Sequence, residues 1–587
     1  MAGLISHKWS VLSRLGVHLR QHRGRIAAGF ICVLLTNLFL LATPRVIGYA
    51  VDSLNESIPR GRLAYYGAVI IGLAISEGVF RFLMRRLIIG VSRDVEYSMR
   101  NDLFQHLETL PMSFYQKNKT GDLMSRATND LSNVRMLMGP GIMYSANTVI
   151  VAVIAVLLML RIHWQLTLLA LVPLPAVSWS VRHFGKKIHD LTEESQAKLA
   201  DLSARVQESM AGIRVVKAFV QEKHEITQFD QMNQSLVAKN RELIRAQSVF
   251  YPTMELMIGL AVVIVIWMGG RQVIQGAISL GDFVAFNVYL ARLTWPMIAL
   301  GWVVNLLERG RASMQRLNYI LDTLPDIQDQ SSGLANFEVE GAIEFRNLSF
   351  AYNGTPTLRN ISLAIPKGKT VAVVGATGSG KSTLVQLIPR LSNAPANSVF
   401  VDGVPIERIP LATLRGAIGF IPQDTFLFGE TIRENIAFGV ESATDAEIRR
   451  AAEISNIDRD VASFPNGYDT MVGERGITLS GGQKQRTAIS RAVVRDPKIL
   501  ILDDSLSSVD TYTEEQILRE LKQVMQNRTS IIISHRVSTV KEADEIIVLD
   551  QGQIVERGTH SELLAKDGYY AELHRRQLLE EELAVSE

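Results

Sequence analysis

The sequence predicts a multidomain membrane protein in two parts: an all-α transmembrane domain of six helices with long cytosolic helix extensions, then an α/β domain built on a phosphate-binding loop. Three observations carry this. The mean hydropathy is positive, +0.14, and charged residues make up 20% of the chain against about a quarter in soluble proteins. The apolar excess sits mostly in residues 1–310, as long runs. After Leu321 short apolar runs alternate with helical patterns, and one opens directly into Gly375-Ala-Thr-Gly-Ser-Gly380-Lys381-Ser382. At 587 residues the chain exceeds one domain.

Residues 1–23 are amphipathic and basic. Ile5, Trp9, Leu12 and Leu19 recur at helical spacing with Lys8, Arg14 and Arg20 between them, which suits an elbow helix lying in the membrane interface; an ordinary surface helix has the same pattern. No small-residue cleavage site precedes the first apolar run, so the N-terminus is expected to stay in the cytosol. A span needs ~20 mostly apolar residues. Residues 26–44 carry no charge, and 63–83 hold Glu77 and Arg81. Runs 136–160 and 162–181 are separated only by Arg161 and its neighbours, which predicts a tight helical hairpin. Run 250–270 contains Glu255, and 283–307 contains Arg292. These six spans define a transmembrane domain over 24–323.

Basic residues set the orientation. Arg85, Arg86, Arg93 and Arg100 follow the second span, and Arg182, Lys186, Lys187, Arg214 and Lys217 follow the fourth. Both long connections are therefore cytosolic, with the α/β domain on the same side. Residues 324–341, with Pro325, Asp326, Asp329, Ser331, Ser332 and Gly333, read as a linker, and 342–587 as the α/β domain. Lys+Arg (61) and Asp+Glu (59) nearly cancel to a net +2, which gives no support to a nucleic-acid binder, whose basic stripe would tip the balance. The single cysteine, Cys32, permits no disulfide framework or Cys-rich metal cluster within the chain.

The phosphate loop matches G-x-x-x-x-G-K-[ST], follows the apolar strand Thr370–Val374 and opens a helix at about Ser382, the context the motif requires. Backbone amides over Gly375, Ala376, Thr377, Gly378, Ser379 and Gly380, with Thr383 beyond, cradle phosphates; Lys381 reaches the β/γ-phosphates and Ser382 ligates Mg²⁺. Ile499-Leu500-Ile501-Leu502 reads as a strand buried on both faces. It ends in Asp503, which faces Ser382 across the Mg²⁺ shell, and Asp504.

Between these motifs stands Leu479-Ser480-Gly481-Gly482-Gln483. With it the whole chain resembles an ABC transporter, and its domain order resembles a half-size exporter whose second part is a P-loop ATPase. The resemblance implies that Tyr352 stacks on adenine, that Gln423 is the Q-loop residue contacting nucleotide and metal, that 507–510 form the D-loop, and that His535 is the switch histidine. It implies that Ser480, Gly481, Gly482 and Gln483 bind ATP held by a second chain. It also assigns 114–123 and 208–219 to coupling segments, and Gly473-Glu474-Arg475-Gly476 to the loop that touches them. ATP and Mg²⁺ are the implied cofactors. One phosphate loop and one signature per chain imply a second half-transporter.

One position departs from the family pattern. The residue after the metal-binding Asp, usually Glu, is Asp504, shorter by one methylene, ~1.5 Å. Slow hydrolysis is expected at this chain's own site, while the intact signature completes the partner's site. That favours a heterodimeric exporter resembling the bacterial multidrug type in the inner membrane; a homodimer or lipid flippase with two slow sites is the alternative. The fused order argues against an importer, and an ATP-gated channel stays open. The cargo is expected to be hydrophobic or amphipathic. Drug, lipid and peptide are not distinguished. Arg292 suits an anionic headgroup or substrate, or equally an ion pair or snorkelling. Trp295, Met297, Met254 and Met257 suit an adaptable apolar pocket or plain helix packing.

Overall fold

The computed structural model describes residues 13–54, 60–329, 337–352, 354–473, 476 and 478–586. Most of the elbow sequence, the middle of the linker, and Glu474 with Arg475 lie outside the described residues. The chain divides into two compact units, Met1–Glu108 with Thr120–Thr323, and Thr109–Lys119 with Leu324–Glu587.

The first unit is helical: α1 (Ser13–Gln21), α2 (Arg23–Leu54), α3 (Arg60–Thr109), α4 (Thr120–Ile162), α5 (Trp164–Leu171), α6 (Pro173–Ala211), α7 (Glu222–Ile274) and α8 (Leu280–Leu321). Among the described residues five of these are long and apolar enough to cross a membrane, at 32 to 53 residues. The long extensions expected beyond the spans are present in α3, α6 and α7. The fourth span corrects the sequence reading. It is not one helix but α5 and α6, interrupted at Val172, because Pro173 and Pro175 supply no backbone N–H to the preceding turn. The predicted hairpin between the third and fourth spans is present. A single extended residue, His163, ends α4 and caps α5 by accepting from Leu166 N at 3.2 Å. Ala155 and Met159 before the turn share one core with Leu166 and Ala170 after it. Many apolar side chains elsewhere, such as Ile71, Ile75 and Val263, stay exposed, as lipid-facing positions require.

The outer ends of α2 and α8 are locked together. Asp52 accepts from Ser279 Oγ and Gly281 N, both at 2.6 Å, and Arg45 pairs with Asp282. A Cβ on Gly281 would overlap the Gly48 carbonyl and the Asp52 carboxylate. Gly281→Ala is therefore expected to destabilise the domain by about 1–3 kcal/mol, read as a lowered thermal unfolding midpoint in detergent; an unchanged midpoint would show that the two helices do not need this approach. Nearer the cytosol, Asp130 on α4 is buried and accepts from Ser313 Oγ and Arg316 Nε on α8, each at 2.8 Å.

The second unit carries two sheets. The first has order β2-β1-β4-β5, from β1 (Ile343–Tyr352), β2 (Thr355–Ile365), β4 (Val399–Val401) and β5 (Val404–Pro405). The second has order β10-β9-β3-β8-β7-β6, from β3 (Thr370–Val374), β6 (Ile418–Ile421), β7 (Ile499–Asp503), β8 (Thr529–Ile533), β9 (Glu545–Asp550) and β10 (Gln553–Gly558). Its strands pair in parallel except β10 on β9. β7 behaves as its unbroken apolar run predicts. Ile499 and Ile501 enter one core with Phe345, Val373 and Leu384, while Leu500 and Leu502 enter another with Ile489, Ala492 and Ile517. The entry to β1 is pinned by Asp402, whose carboxylate accepts from Glu340 N at 2.8 Å and Ala342 N at 2.7 Å. Part of the predicted linker is held to this unit, since Asp329 accepts from Leu411 N and the Asp326 carbonyl from Asn393 Nδ2, both at 2.7 Å.

Candidate functional site

In a parallel sheet the carboxyl ends of the strands form the ligand crevice. Here β3 leads into the phosphate loop, β6 into Gln423, β7 into Asp503 and Asp504, and β8 into His535. The order β3-β8-β7-β6 brings these four strand ends to one edge.

The loop is shaped by backbone constraints. Gly380 caps helix α9 (Lys381–Gln386) at φ +101°, and a Cβ there would lie 2.8 Å from Leu358 Cδ2 and 3.1 Å from the Thr357 carbonyl. Only glycine meets both demands. Ser379 N bonds the Ala376 carbonyl at 3.2 Å, closing the turn. The Ser379 hydroxyl is buried without a hydrogen-bond partner.

Lys381 is buried. Its Nζ donates to the Gly375 and Ala376 carbonyls at 2.8 and 2.9 Å, so the ammonium is held at the mouth of its own loop. Burial pushes it below the ordinary lysine value, while Asp504 and Asp503 pull it back. Ser382 Oγ donates to Asp503 Oδ1 at 2.9 Å. Asp503 is 1% exposed, and its Oδ2 has no partner. Burial raises it above the usual carboxylate range; the bond from Ser382 opposes this, and the nearby Asp504 adds to it. A buried carboxylate oxygen left unpaired is costly unless a cation completes it. Ser382 and Asp503 thus fit Mg²⁺, a hard ion taking hydroxyl and carboxylate oxygens.

Asp504 follows β7 in the left-handed region, φ +48°. Its amide bonds the Ile533 carbonyl at 2.9 Å, which fixes the side chain's origin between β7 and β8. Its carboxylate makes no hydrogen bond or ion pair among the described residues. Gln423 and His535 are exposed, and the His535 carbonyl accepts from Gln577 Nε2. Among the described residues no hydrogen bond links Gln423 to Ser382 or Asp503. Tyr352 ends β1 with its ring edge-on to Phe350 at 4.9 Å.

The signature residues open helix α10 (Gly481–Val493). Ser480 Oγ accepts from Gln483 N at 3.3 Å and Gln483 Oε1 accepts from Ser480 N at 3.0 Å, a reciprocal cap. Gly482 lies against Ser508, where a Cβ would stand 3.0 Å from the Ser508 carbonyl. Among the described residues no hydrogen bond joins 480–483 to the phosphate loop. Sequence reasoning missed Gln485. It is buried, donates to Ser507 Oγ at 3.1 Å and accepts from Ser508 N at 2.9 Å. It thereby ties the signature helix to the segment behind Asp504, and its one signal was a polar residue on the apolar face of α10.

Residues 26–297 match the ABC transporter transmembrane region, and residues 358–507 match the ABC transporter domain. The chain is 38% identical to the probable multidrug resistance ABC transporter ATP-binding/permease protein YheI of Bacillus subtilis (strain 168), over 97% of this chain and 98% of that protein. It is 34% identical to the ATP-dependent lipid A-core flippase of Syntrophus aciditrophicus (strain SB), over 98% of this chain and 96% of that one. A solved structure of a bacterial Atm1-family ABC exporter with ATP bound matches with a TM-score of 0.78 and 29% identity, covering 94% of this chain and 98% of that chain. With six predicted spans ahead of an ABC ATPase domain, the chain belongs to the ABC transporter family, as an exporter-type half-transporter.

Proposed function

We propose that this chain is one half of an asymmetric pair in the bacterial inner membrane. The pair exports a hydrophobic or amphipathic substrate by alternating access. Its own ATP site hydrolyses slowly, and its signature completes the productive site of a partner that carries Glu at the matching position. The observation that carries this reading is the coexistence of Asp504 with a capped signature, Ser480 to Gln483. A chain silent at both places would have no use for the second.

In this reading Lys381 leaves its loop carbonyls for the β/γ-phosphates, Tyr352 stacks on adenine, and the amides of 375–380 with Ser382 and Thr383 hold the phosphate oxygens. Ser382, Asp503 and Gln423 would hold Mg²⁺, which when bound neutralises charge on the phosphates. Asp504 orients the attacking water, at a disadvantage in reach, and His535 senses the terminal phosphate. Closure of two such domains on ATP biases the membrane helices toward the outward-open state.

Two observations support a second chain. Among the described residues the signature has no hydrogen bond to this chain's own phosphate loop, and the turn after α6 presents Val215, Phe219 and Val220 at 61%, 70% and 77% exposure. Such an apolar tip calls for a covering surface, consistent with a coupling segment seated on another domain. The grouping of Thr109–Lys119 with this chain's own nucleotide domain, with Phe114 buried, supports the reading of 114–123 as the first coupling segment.

The test is ATPase of the purified chain alone and with a second half-transporter carrying the Glu. Slow turnover alone and fast turnover paired is expected. Fast turnover by the chain alone, abolished by Asp504→Asn, would replace the asymmetric pair with a homodimer.

A further inference from the structure

His535 stands on a short loop between β8, which ends at Ile533, and helix α12 (Val537–Val540). The residue that opens α12 is Arg536, and its side chain makes no cap. The first amides of a helix need acceptors from outside it, and a Ser, Thr, Asp or Asn at the cap normally supplies one. Here the acceptor comes from 40 positions away, on helix α13 (Tyr569–Ser586). Gln577 Oε1 accepts from Val537 N at 2.7 Å, and Gln577 Nε2 donates to the His535 carbonyl. One planar amide, with its donor and its acceptor, thus binds the backbone on both sides of Arg536.

The loop is also held by α11 (Thr511–Met525), the helix that follows the Asp504 segment. Its Glu514 is 2% exposed, accepts from Thr539 Oγ1 at 2.6 Å and pairs with Arg536. The His535 ring itself is exposed and makes no hydrogen bond or ion pair among the described residues, so its backbone sets where it stands. Helix α13 is docked in turn. Tyr570 is fully buried in one core with Val537 and Val540, Leu573 packs against that core, and Glu556 accepts from Tyr570 N at 3.2 Å. Tyr570, Leu573 and Gln577 fall at i, i+3 and i+7, so one face of this helix carries both the anchor and the clamp.

We propose that Gln577 is a positioning residue for His535: through this one side chain the C-terminal helix aims the histidine at the nucleotide and sets the hydrolysis rate at this chain's own phosphate loop. The inference rests on the reading of His535 as the group that senses the terminal phosphate, and it holds whether or not the pair is asymmetric. A group displaced by ~1 Å from a reacting centre costs about 100-fold in rate. Among the described residues no hydrogen bond joins Gln577 to the phosphate loop, so nucleotide binding by Lys381 and the loop amides is left intact when Gln577 is changed.

The experiment uses the full chain in phosphatidylcholine nanodiscs, with single-turnover hydrolysis of MgATP and equilibrium binding of trinitrophenyl-ATP as readouts. Gln577→Met, which keeps the length of the side chain, is expected to slow hydrolysis about tenfold or more and to leave nucleotide affinity within about twofold of wild type. Gln577→Glu keeps the acceptor for Val537 N and loses the donor for His535, and it is expected to be slowed as well. Arg576→Ala, exposed and one position away, retains the wild-type rate and shows that altering α13 as such does not slow the site. The decisive comparison is made in the His535→Ala background, which is itself slow: there Gln577→Met adds no further loss. A merely structural role would multiply the two losses. That outcome would overturn the proposal, as would a wild-type rate in Gln577→Met or in Gln577→Glu; each leaves His535→Ala slow and the switch reading standing. A wild-type rate in His535→Ala would remove the switch reading and this proposal with it.

Discussion

Asp504→Glu is expected to raise ATP turnover at this chain's own phosphate loop by about 10- to 100-fold. The basis is reach. The backbone at Asp504 is pinned by its amide bond to the Ile533 carbonyl at 2.9 Å, so it cannot advance to compensate for a short side chain. A misplacement of ~1 Å at a reacting group costs about 100-fold in rate, and one methylene changes the reach by ~1.5 Å. Asp at φ +48° is a tolerated residue in the left-handed region, and Glu less so. The variant is therefore expected to lose about 1 kcal/mol of stability, seen in its unfolding midpoint, while its hydrolysis rate rises. Single-turnover hydrolysis of the wild type, Asp504→Glu and Asp504→Asn measures this. Equal rates for the first two would show that carboxylate reach is not what limits the site.

Much of this was legible in the sequence because the phosphate loop and β7 obey local rules. Gly375 to Ser382 has one spacing and one strand–loop–helix context. The four apolar residues before Asp503 demand burial on both faces, which the two cores beside β7 satisfy. The same holds for the long helices, where apolar length alone specifies a span. What was not legible depends on tertiary placement. Gln485 reads as an ordinary helix residue until Ser507 and Ser508 are folded against it. Asp402 looks like a turn residue, although its carboxylate gathers the amides that lead into β1. The fourth span hid its break because Pro173 and Pro175 are as apolar as their neighbours, and hydropathy does not count missing amide protons. A membrane-domain cavity lined by Arg81, Arg85 and Arg292 is the clearest case. Arg81 and Arg292 were each conspicuous inside a span, yet 211 positions separate them, and only helix packing puts both on one wall. Of the residues suggested for an apolar pocket, Trp295 lines it, Met254 is buried within α7, and the side chain of Met297 lies outside those described.

The second large effect concerns which chain's residues serve which ATP site. Ser480 caps α10 and points its hydroxyl group at the helix start. In the proposed pair that group and the amides beside it face ATP on the partner's phosphate loop. Ser480→Arg removes a phosphate contact and puts a long side chain into that space. Losing one preorganised donor at a reacting phosphate costs about 100-fold or more, whereas the lost cap costs α10 only about 1 kcal/mol. Lys381→Met instead disables this chain's own loop, the slow site. Steady-state ATPase of the pair, with each substitution made only in this chain, is therefore the most direct test. The account predicts that Ser480→Arg abolishes nearly all turnover while Lys381→Met spares most of it. The opposite ranking, with Lys381→Met abolishing turnover and Ser480→Arg sparing it, would contradict it.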